Sequence, residues 1–383
     1  MNQLNYFEQT SLGESRWWSW LVAFWFTILG WVIAQTVVTS PIPAIIAEID
    51  PEAANQLTQA SIALFEDIDL VKFGLLTSGL LLSTLAVIIS WIVNRFTSGT
   101  AKTIFGWITG ISMVASLVCA FILFPMMNDP EANNAFMQMI GLSPVAYALM
   151  LATFPATLIG LFLVQKFIHK RSIVSLHTAA DRINWMRILY AIAVTWVVYG
   201  IVAALFHFTG LSPLQMTFDP TRFFGFAIAT LILIPLQSGT EEIVFRGYLN
   251  QGFGHFISNK WVVFIITSAL FAAMHLSNPE ATSGAEKGGL MHLIVMSSYF
   301  MFGFIMAVIV YFEDGLEAAI GVHAGNNMFA AMFVNYEGSV LPTPSIFLAK
   351  INPSFDVPLG IITMALVAYI LYRSRPNTRQ TIT

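Results

Sequence analysis

The chain has 383 residues, of which 57% are hydrophobic and only 10% charged, with a formal net charge of −4. A soluble domain carries about 25% charged residues, so this composition excludes a water-covered globular protein. The slight negative charge, with no basic cluster beyond Lys166–Arg171, excludes a nucleic-acid partner.

Runs of about 20 apolar residues mark membrane-spanning helices. In chain order the sequence predicts Trp17–Val38, Leu70–Val93, Ile104–Met126, Pro144–Ile168, Arg187–Phe206, Arg222–Leu236, Trp261–His275, Leu290–Phe312, Ala318–Val334 and Val357–Tyr372. The fold class expected is therefore an all-α, polytopic membrane protein with about ten transmembrane helices. The sixth, seventh and ninth stretches are short. The first is too long for the apolar part of a secretory signal, and its flank Glu8–Glu14–Arg16 is not basic, so it reads as a retained helix. The segments 39–69 and 127–143, polar with Pro and Asn, read as surface connections.

Orientation follows from the basic residues. With the N-terminus inside, the inner side collects Arg16, Arg95, Lys102, Lys166, Lys170, Arg171, Arg182, Arg187, Lys260, Arg373, Arg375 and Arg379. The outer side collects Lys72, Arg222, Lys287 and Lys350, with Arg246 set apart as part of a motif. This bias predicts that both termini are cytoplasmic. The one cysteine, Cys119, lies in an apolar run and can form no internal disulfide, which argues against redox chemistry.

The most polar break runs from His169 to Arg187. Ile173, Val174, Leu176, Ile183 and Trp185 are interleaved with Arg182 and Arg187, the composition of a helix lying in the headgroup plane. Three parts result: an N-terminal four-helix membrane region (1–168) with no readable task, an interfacial linker helix (169–187), and a membrane-embedded region (188–375). No internal repeat is visible.

Ionisable groups at membrane depth are expensive and normally face a cavity. The first such cluster is Thr240-Glu241-Glu242-Ile243-Val244-Phe245-Arg246-Gly247. Glu242 and Arg246 share a helical face and can pair. Glu241 lies about 100° round the helix and stays free, as a general base would. Taken alone, the cluster also reads as an ion pair at a helix end. The second is Phe271-Ala272-Ala273-Met274-His275, where a lone His also fits a hydrogen-bonded helix end. The third is His323-Ala324-Gly325-Asn326-Asn327, with His323 and Asn327 on one face and small residues permitting close helix packing. A hairpin closing at Gly252–Asn259 would bring Glu241 and His275 to one depth. The polar stretch Ser277–Gly289 must then sit inside a cavity. Glu313, Asp314 and Glu317 read as a solvated inner turn.

Glu-Glu-x-x-x-Arg, Phe-x-x-x-His and His-x-x-x-Asn in this order resemble the CPBP (also called ABI) family. That family comprises CAAX prenyl endopeptidases and bacteriocin-processing or immunity membrane proteases. The resemblance covers about 225–335. It implies an integral, multi-pass membrane enzyme, of the cell membrane if the host is a bacterium. It further implies hydrolysis of a peptide bond in a membrane-associated protein or peptide substrate, within or beside the lipid bilayer. By the same resemblance Glu241 would activate water with help from His275, while His323 and Asn327 would stabilise the oxyanion. Glu242 and Arg246 would fix the first helix, and Phe271 would pack behind the site.

Two chemistries fit this set. Glu241, His275 and His323 could hold Zn2+, making the enzyme a metalloendopeptidase. Alternatively Glu241 acts directly, in a glutamate-type mechanism without metal. The absence of a His-Glu-x-x-His helix tilts the reading toward the second. Two non-proteolytic readings remain: a membrane scaffold or bacteriocin-immunity protein of the same fold, and a proton-coupled transporter. The latter calls for repeats with interrupted helices in both halves, which the N-terminal half does not offer.

Overall fold

The structure is a computed structural model and describes residues 4–67, 69–126 and 130–375. Its helices are α1 (Trp17–Thr39), α2 (Ile42–Ile49), α3 (Pro51–Asp67), α4 (Leu70–Phe96), α5 (Gly99–Met126), α6 (Pro130–Ile140), α7 (Pro144–Phe167) and α8 (Trp185–Phe208). They continue with α9 (Pro220–Glu242), a π-helical stretch (Ile243–Leu249), α10 (Asn250–Phe256), α11 (Lys260–Ala273), α12 (Pro279–Glu286), α13 (Gly289–Glu313), α14 (Glu317–Met332) and α15 (Pro353–Ser374). Side chains that accept from the orphan N–H groups of a first turn start several of them. Asp69 does so for α4, Ser143 for α7, Asn184 for α8, Asp219 for α9 and Asn259 for α11. Asp314, in the left-handed region at φ 58°, ends α13.

Each of the ten predicted stretches lies on a helix. Among the described residues seven segments are long and apolar enough to cross a membrane, α1–α2 and α9–α10 each counting as one. Three predicted stretches are not among the seven: Ile104–Met126 on α5, and those on α11 with 14 residues and α14 with 16. The outer faces are apolar: Leu75, Leu82, Ile201 and Ile228 are each at least 60% exposed, the reverse of a soluble surface. The protein is thus an integral, multi-pass membrane protein with an all-α fold.

Strands β1 (Leu214–Met216), β2 (Val334–Tyr336) and β3 (Phe347–Ala349) form a small sheet in the order β1-β3-β2, with β3 antiparallel to β1 and parallel to β2. It lies at one end of the bundle with α12, whose Glu280 accepts from Tyr336 Oη (2.6 Å) and Val340 N (2.9 Å). The opposite end gathers both ends of the described chain. Tyr6 N donates to Asp314 Oδ1 (2.7 Å), and Arg375 donates to the Phe312 carbonyl (3.2 Å). Arg187 there forms a buried two-bond pair with Glu313 (2.7 and 3.0 Å) and also donates to Leu371 O (2.8 Å). Arg379 lies outside the described residues.

Several expectations change. Residues 169–187 are not an interfacial helix. Lys170 takes a left-handed conformation (φ 56°), only Val174–Leu176 forms a 3-10 turn, and α8 begins at Trp185. The segment is a strap buried at Ser175–Thr178: Leu316 N donates to His177 O, and Ala179 N to Asp314 O, so the α13–α14 turn satisfies part of its backbone. That turn is not solvated, because Glu313 is paired with Arg187 and Glu317 is buried, accepting from Asn184 N. The connections 39–69 and 127–143 are largely helical, as α2, α3 and α6. The hairpin tip narrows to residues 257–259, because α10 continues to Phe256.

The motif-bearing helices sit in the middle. A Cβ on Gly321 would collide with the Ile188 carbonyl, and one on Gly325 would meet Thr195 Cβ at 3.0 Å. Backbones of α8 and α14 therefore touch, as small residues allow in lipid. Ile234, Ala324 and Met328 bury the seam between α9 and α14.

Candidate active site

Glu241 and Glu242 close α9, about 32 Å along it from its capped start. His323 lies about 9 Å into α14 from the other direction. The site is thus displaced toward the end of the bundle that holds both ends of the described chain.

Glu242 is fully buried and central. Its Oε1 accepts from Arg246 Nη1 (3.1 Å) and from His323 Nδ1 (2.7 Å). Arg246 is buried too and lies flat over the Phe271 ring (4.2 Å), adding a cation–π contact to its ion pair. Space for its guanidinium comes from Gly303, where a Cβ would meet Arg246 Nη2 at 3.1 Å. The carboxylate in turn fixes the imidazole: with Nδ1–H committed to Glu242, Nε2 is presented toward Glu241.

Glu241 is held by one oxygen. Gln237, one turn earlier, donates from Nε2 to Oε1 (2.5 Å). Oε2 is buried with no hydrogen-bond partner and lies 3.7 Å from His323 Nε2. Gln237 Oε1 accepts from Ser238 Oγ (3.0 Å) and Asn327 Nδ2 (3.2 Å). Asn327 Nδ2 also lies 3.4 Å from Ser238 Oγ.

His275 is just beyond the end of α11. Its Nδ1 donates to the Phe271 carbonyl (2.7 Å), leaving Nε2 without a protein partner of its own. The ring is sandwiched between Phe271 (4.5 Å) and Tyr299 (4.4 Å, interplanar 27°). Phe271 also touches the His323 ring edge-on (6.2 Å), and Phe302 covers the other side of His323 (4.7 Å). Phe271 is therefore the common wall of both histidines and Arg246.

Glu241, Glu242, Arg246 and His323 meet directly, Asn327 joins through Gln237, and His275 stands across Phe271. The sequence reading missed Gln237, Ser238, Tyr299 and Asn326. Gln237 carried a signal, being a polar residue four before Glu241 in an otherwise apolar run. Both histidines orient Nδ1 on a second partner and free Nε2, the habit of metal ligands. Yet among the described residues no three His, Cys, Asp or Glu side chains are grouped as a metal site.

A family model described as Type II CAAX prenyl endopeptidase Rce1-like matches residues 220–329, the stretch from the start of α9 nearly to the end of α14. It contains all seven motif residues. The chain is also 30% identical over 228 residues to the uncharacterized protein YyaK of Bacillus subtilis (strain 168), covering 58% of this chain and 73% of that one. No solved structure matches.

Proposed function

The chain belongs to the Rce1-like family of CAAX prenyl endopeptidases, a family of membrane proteases, and on that premise we propose that it hydrolyses a membrane-associated protein or peptide with a water activated by Glu241. The observation that carries this reading is the unequal state of the two Glu241 oxygens. Oε1 is held by Gln237, while Oε2 is buried, unpartnered and directed at His323.

In this reading Oε2 takes a proton from water as the water oxygen attacks the scissile carbonyl. The free Nε2 of His275 accepts the second water hydrogen and so orients the nucleophile. The tetrahedral oxyanion forms beside His323. A proton resting on Nε2 makes that ring a donor to the oxyanion, with the Glu242 carboxylate behind it stabilising the imidazolium. Collapse returns the proton from Glu241 to the leaving amine. Arg246 holds Glu242 in place through its ion pair. The walls Phe271, Phe302 and Tyr299 exclude bulk water, which strengthens each of these interactions.

A zinc ion on Glu241, His275 and His323 is the rival chemistry. The tautomers suit it, but the three donors are not grouped as a metal site, so no step is routed through one. Stoichiometric zinc in the purified protein, lost together with activity on chelation, would overturn this assignment.

With the basic end of the bundle cytoplasmic, the site opens near the inner face, where a lipidated C-terminus of the CAAX type would lie. The test compares wild type with Glu241→Gln at equal membrane abundance, by mass spectrometry of membrane peptides. A fragment that disappears in the variant is expected and identifies the substrate. Matching peptide profiles with an unchanged phenotype would favour the scaffold or immunity reading.

A further inference from the structure

A line of polar side chains leads away from Glu241 across three helices. Tyr199 Oη on α8 donates to Asn326 Oδ1 (3.1 Å), and Asn326 Nδ2 donates to Asn327 Oδ1 (2.9 Å), both on α14. Asn327 Nδ2 donates to Gln237 Oε1 (3.2 Å) on α9, and Gln237 Nε2 donates to Glu241 Oε1 (2.5 Å). Every donor points toward the carboxylate.

The direction is set at the acid. An ionised carboxylate only accepts, so Gln237 must turn its amide N–H toward Glu241 and its carbonyl away. That carbonyl then requires a donor, which orients Asn327, whose carbonyl in turn orients Asn326. Tyr199, which can donate, ends the chain. Reversing Gln237 or Asn327 would set N–H against N–H at one junction and oxygen against oxygen at the other, and reversing Asn326 would set oxygen against oxygen at Asn327. Ser238 Oγ, fully buried, adds a second donor to Gln237 Oε1 (3.0 Å). In a low-dielectric interior such aligned bonds polarise one another.

We infer that Tyr199, Asn326, Asn327 and Gln237 form a one-way hydrogen-bond relay that pins Glu241 by Oε1 and leaves Oε2 for the reacting water. The four are positioning residues, and Asn327 serves by loading Gln237. The inference rests on the reading of Glu241 as the base. Close approach of α8 and α14 at Gly321 and Gly325 keeps the far end in register, assisted by Trp196 Nε1 donating to Gly325 O (3.0 Å). The competing explanation is ordinary polar glue between membrane helices, in which each bond contributes separately.

Full-length wild type, Gln237→Met, Tyr199→Phe and the double variant, reconstituted in lipid nanodiscs, separate the two. The carboxylate stretch of Glu241 is isolated in the infrared by subtracting the spectrum of Glu241→Gln. Both single variants should shift that band, Tyr199→Phe by less, and Tyr199→Phe should add nothing in the Gln237→Met background. A band unmoved by Tyr199→Phe, or a further shift when Tyr199→Phe is added to Gln237→Met, overturns the relay.

Cleavage of a farnesylated CAAX peptide gives a second readout. Loss of the Gln237 donor should lower kcat at least about tenfold with KM unchanged, and Tyr199→Phe should lower it severalfold. The double variant should be no slower than Gln237→Met, although the two residues do not touch. Additive losses in kcat favour the glue. If wild type leaves this peptide intact, the proposed substrate class fails, while the infrared result still decides the relay.

Discussion

The hairpin of α4 and α5 and the pair of α9 and α14 both carry polar residues inside apolar helices, and they use them differently. In the hairpin these residues are hydroxyls that can satisfy themselves locally. Ser83, Ser90, Thr109 and Ser116 each have a carbonyl four residues earlier within hydrogen-bond reach. In the cross-helix contacts Ser90–Thr109 and Ser116–Ser83, both 2.8 Å, one hydroxyl donates across, and the carbonyl on its own helix offers it the same bond. In the α9–α14 pair, local bonds such as Gln237 to Glu241 are joined by bonds that need the other helix or the π-stretch, His323 to Glu242, Asn327 to Gln237 and Arg246 to Glu242. Oε2 of Glu241, Oε2 of Glu242 and Nη2 of Arg246 remain without any. In lipid, polarity satisfied within one helix reads as packing, and polarity that depends on a neighbour and is left incomplete reads as chemistry.

Four substitutions test that contrast, from the largest expected effect to the smallest. Arg246→Met strands the buried Glu242 carboxylate and should destabilise the protein by about 3–5 kcal/mol, measured by unfolding in detergent. Adding Glu242→Leu should recover part of that loss, because no charge is then left unpaired. Gly321→Val drives a side chain into the Ile188 carbonyl and should cost about 1–3 kcal/mol together with activity. The matched Gly110→Val in α5, where a Cβ meets nothing within 4 Å, should be silent in both measurements.

The third change concerns the strap. His169 is buried, with Nδ1 on Glu14 O (2.8 Å) and Nε2 on Tyr248 Oη (3.1 Å), and burial pushes its pKa down to about 4. Its neutral form is favoured in the folded state, so its contribution is full above about pH 6.5 and is lost as pH falls from there toward 4. Going from pH 7 to pH 5 should cost on the order of 1–2 kcal/mol, and His169→Gln should flatten that dependence in thermal unfolding. Smallest is Ser90→Ala, which should change stability by about 0.6 kcal/mol and leave cleavage untouched.

The ten helical stretches were legible because a long apolar run has few other outcomes, and the motif residues because an ionisable group in such a run demands a reason. Gln237 and Asn326 were harder, since an amide in a membrane helix also serves as packing, and only the meeting of α8, α9 and α14 distinguishes the two. The strap was misread for a related reason. Leu176 and Ile183 look amphipathic whether they lie on a bilayer or beneath another segment, and Tyr6, which donates to Leu176 O (2.5 Å) from 170 residues away, decides it. Strands of three residues leave no local pattern to read, and β1 pairs with β3 across more than a hundred positions.

The π-helical stretch Ile243–Leu249 has a consequence for the length of the chain. Upstream of it the rotation of α9 aims Glu241 and Glu242 at α14; within it, a Cβ on Gly247 would meet the Leu176 carbonyl at 2.9 Å, and downstream Gln251 donates to Tyr6 O and Ser175 O. A π-turn holds one residue more than the α-turn it replaces, so the stretch reconciles two rotational settings that an unbroken α-helix would leave out of phase. Deleting a single residue here would swing α10 about 100° away from its partners. Tolerance to deletions should therefore be least here, where the helix is already overfull.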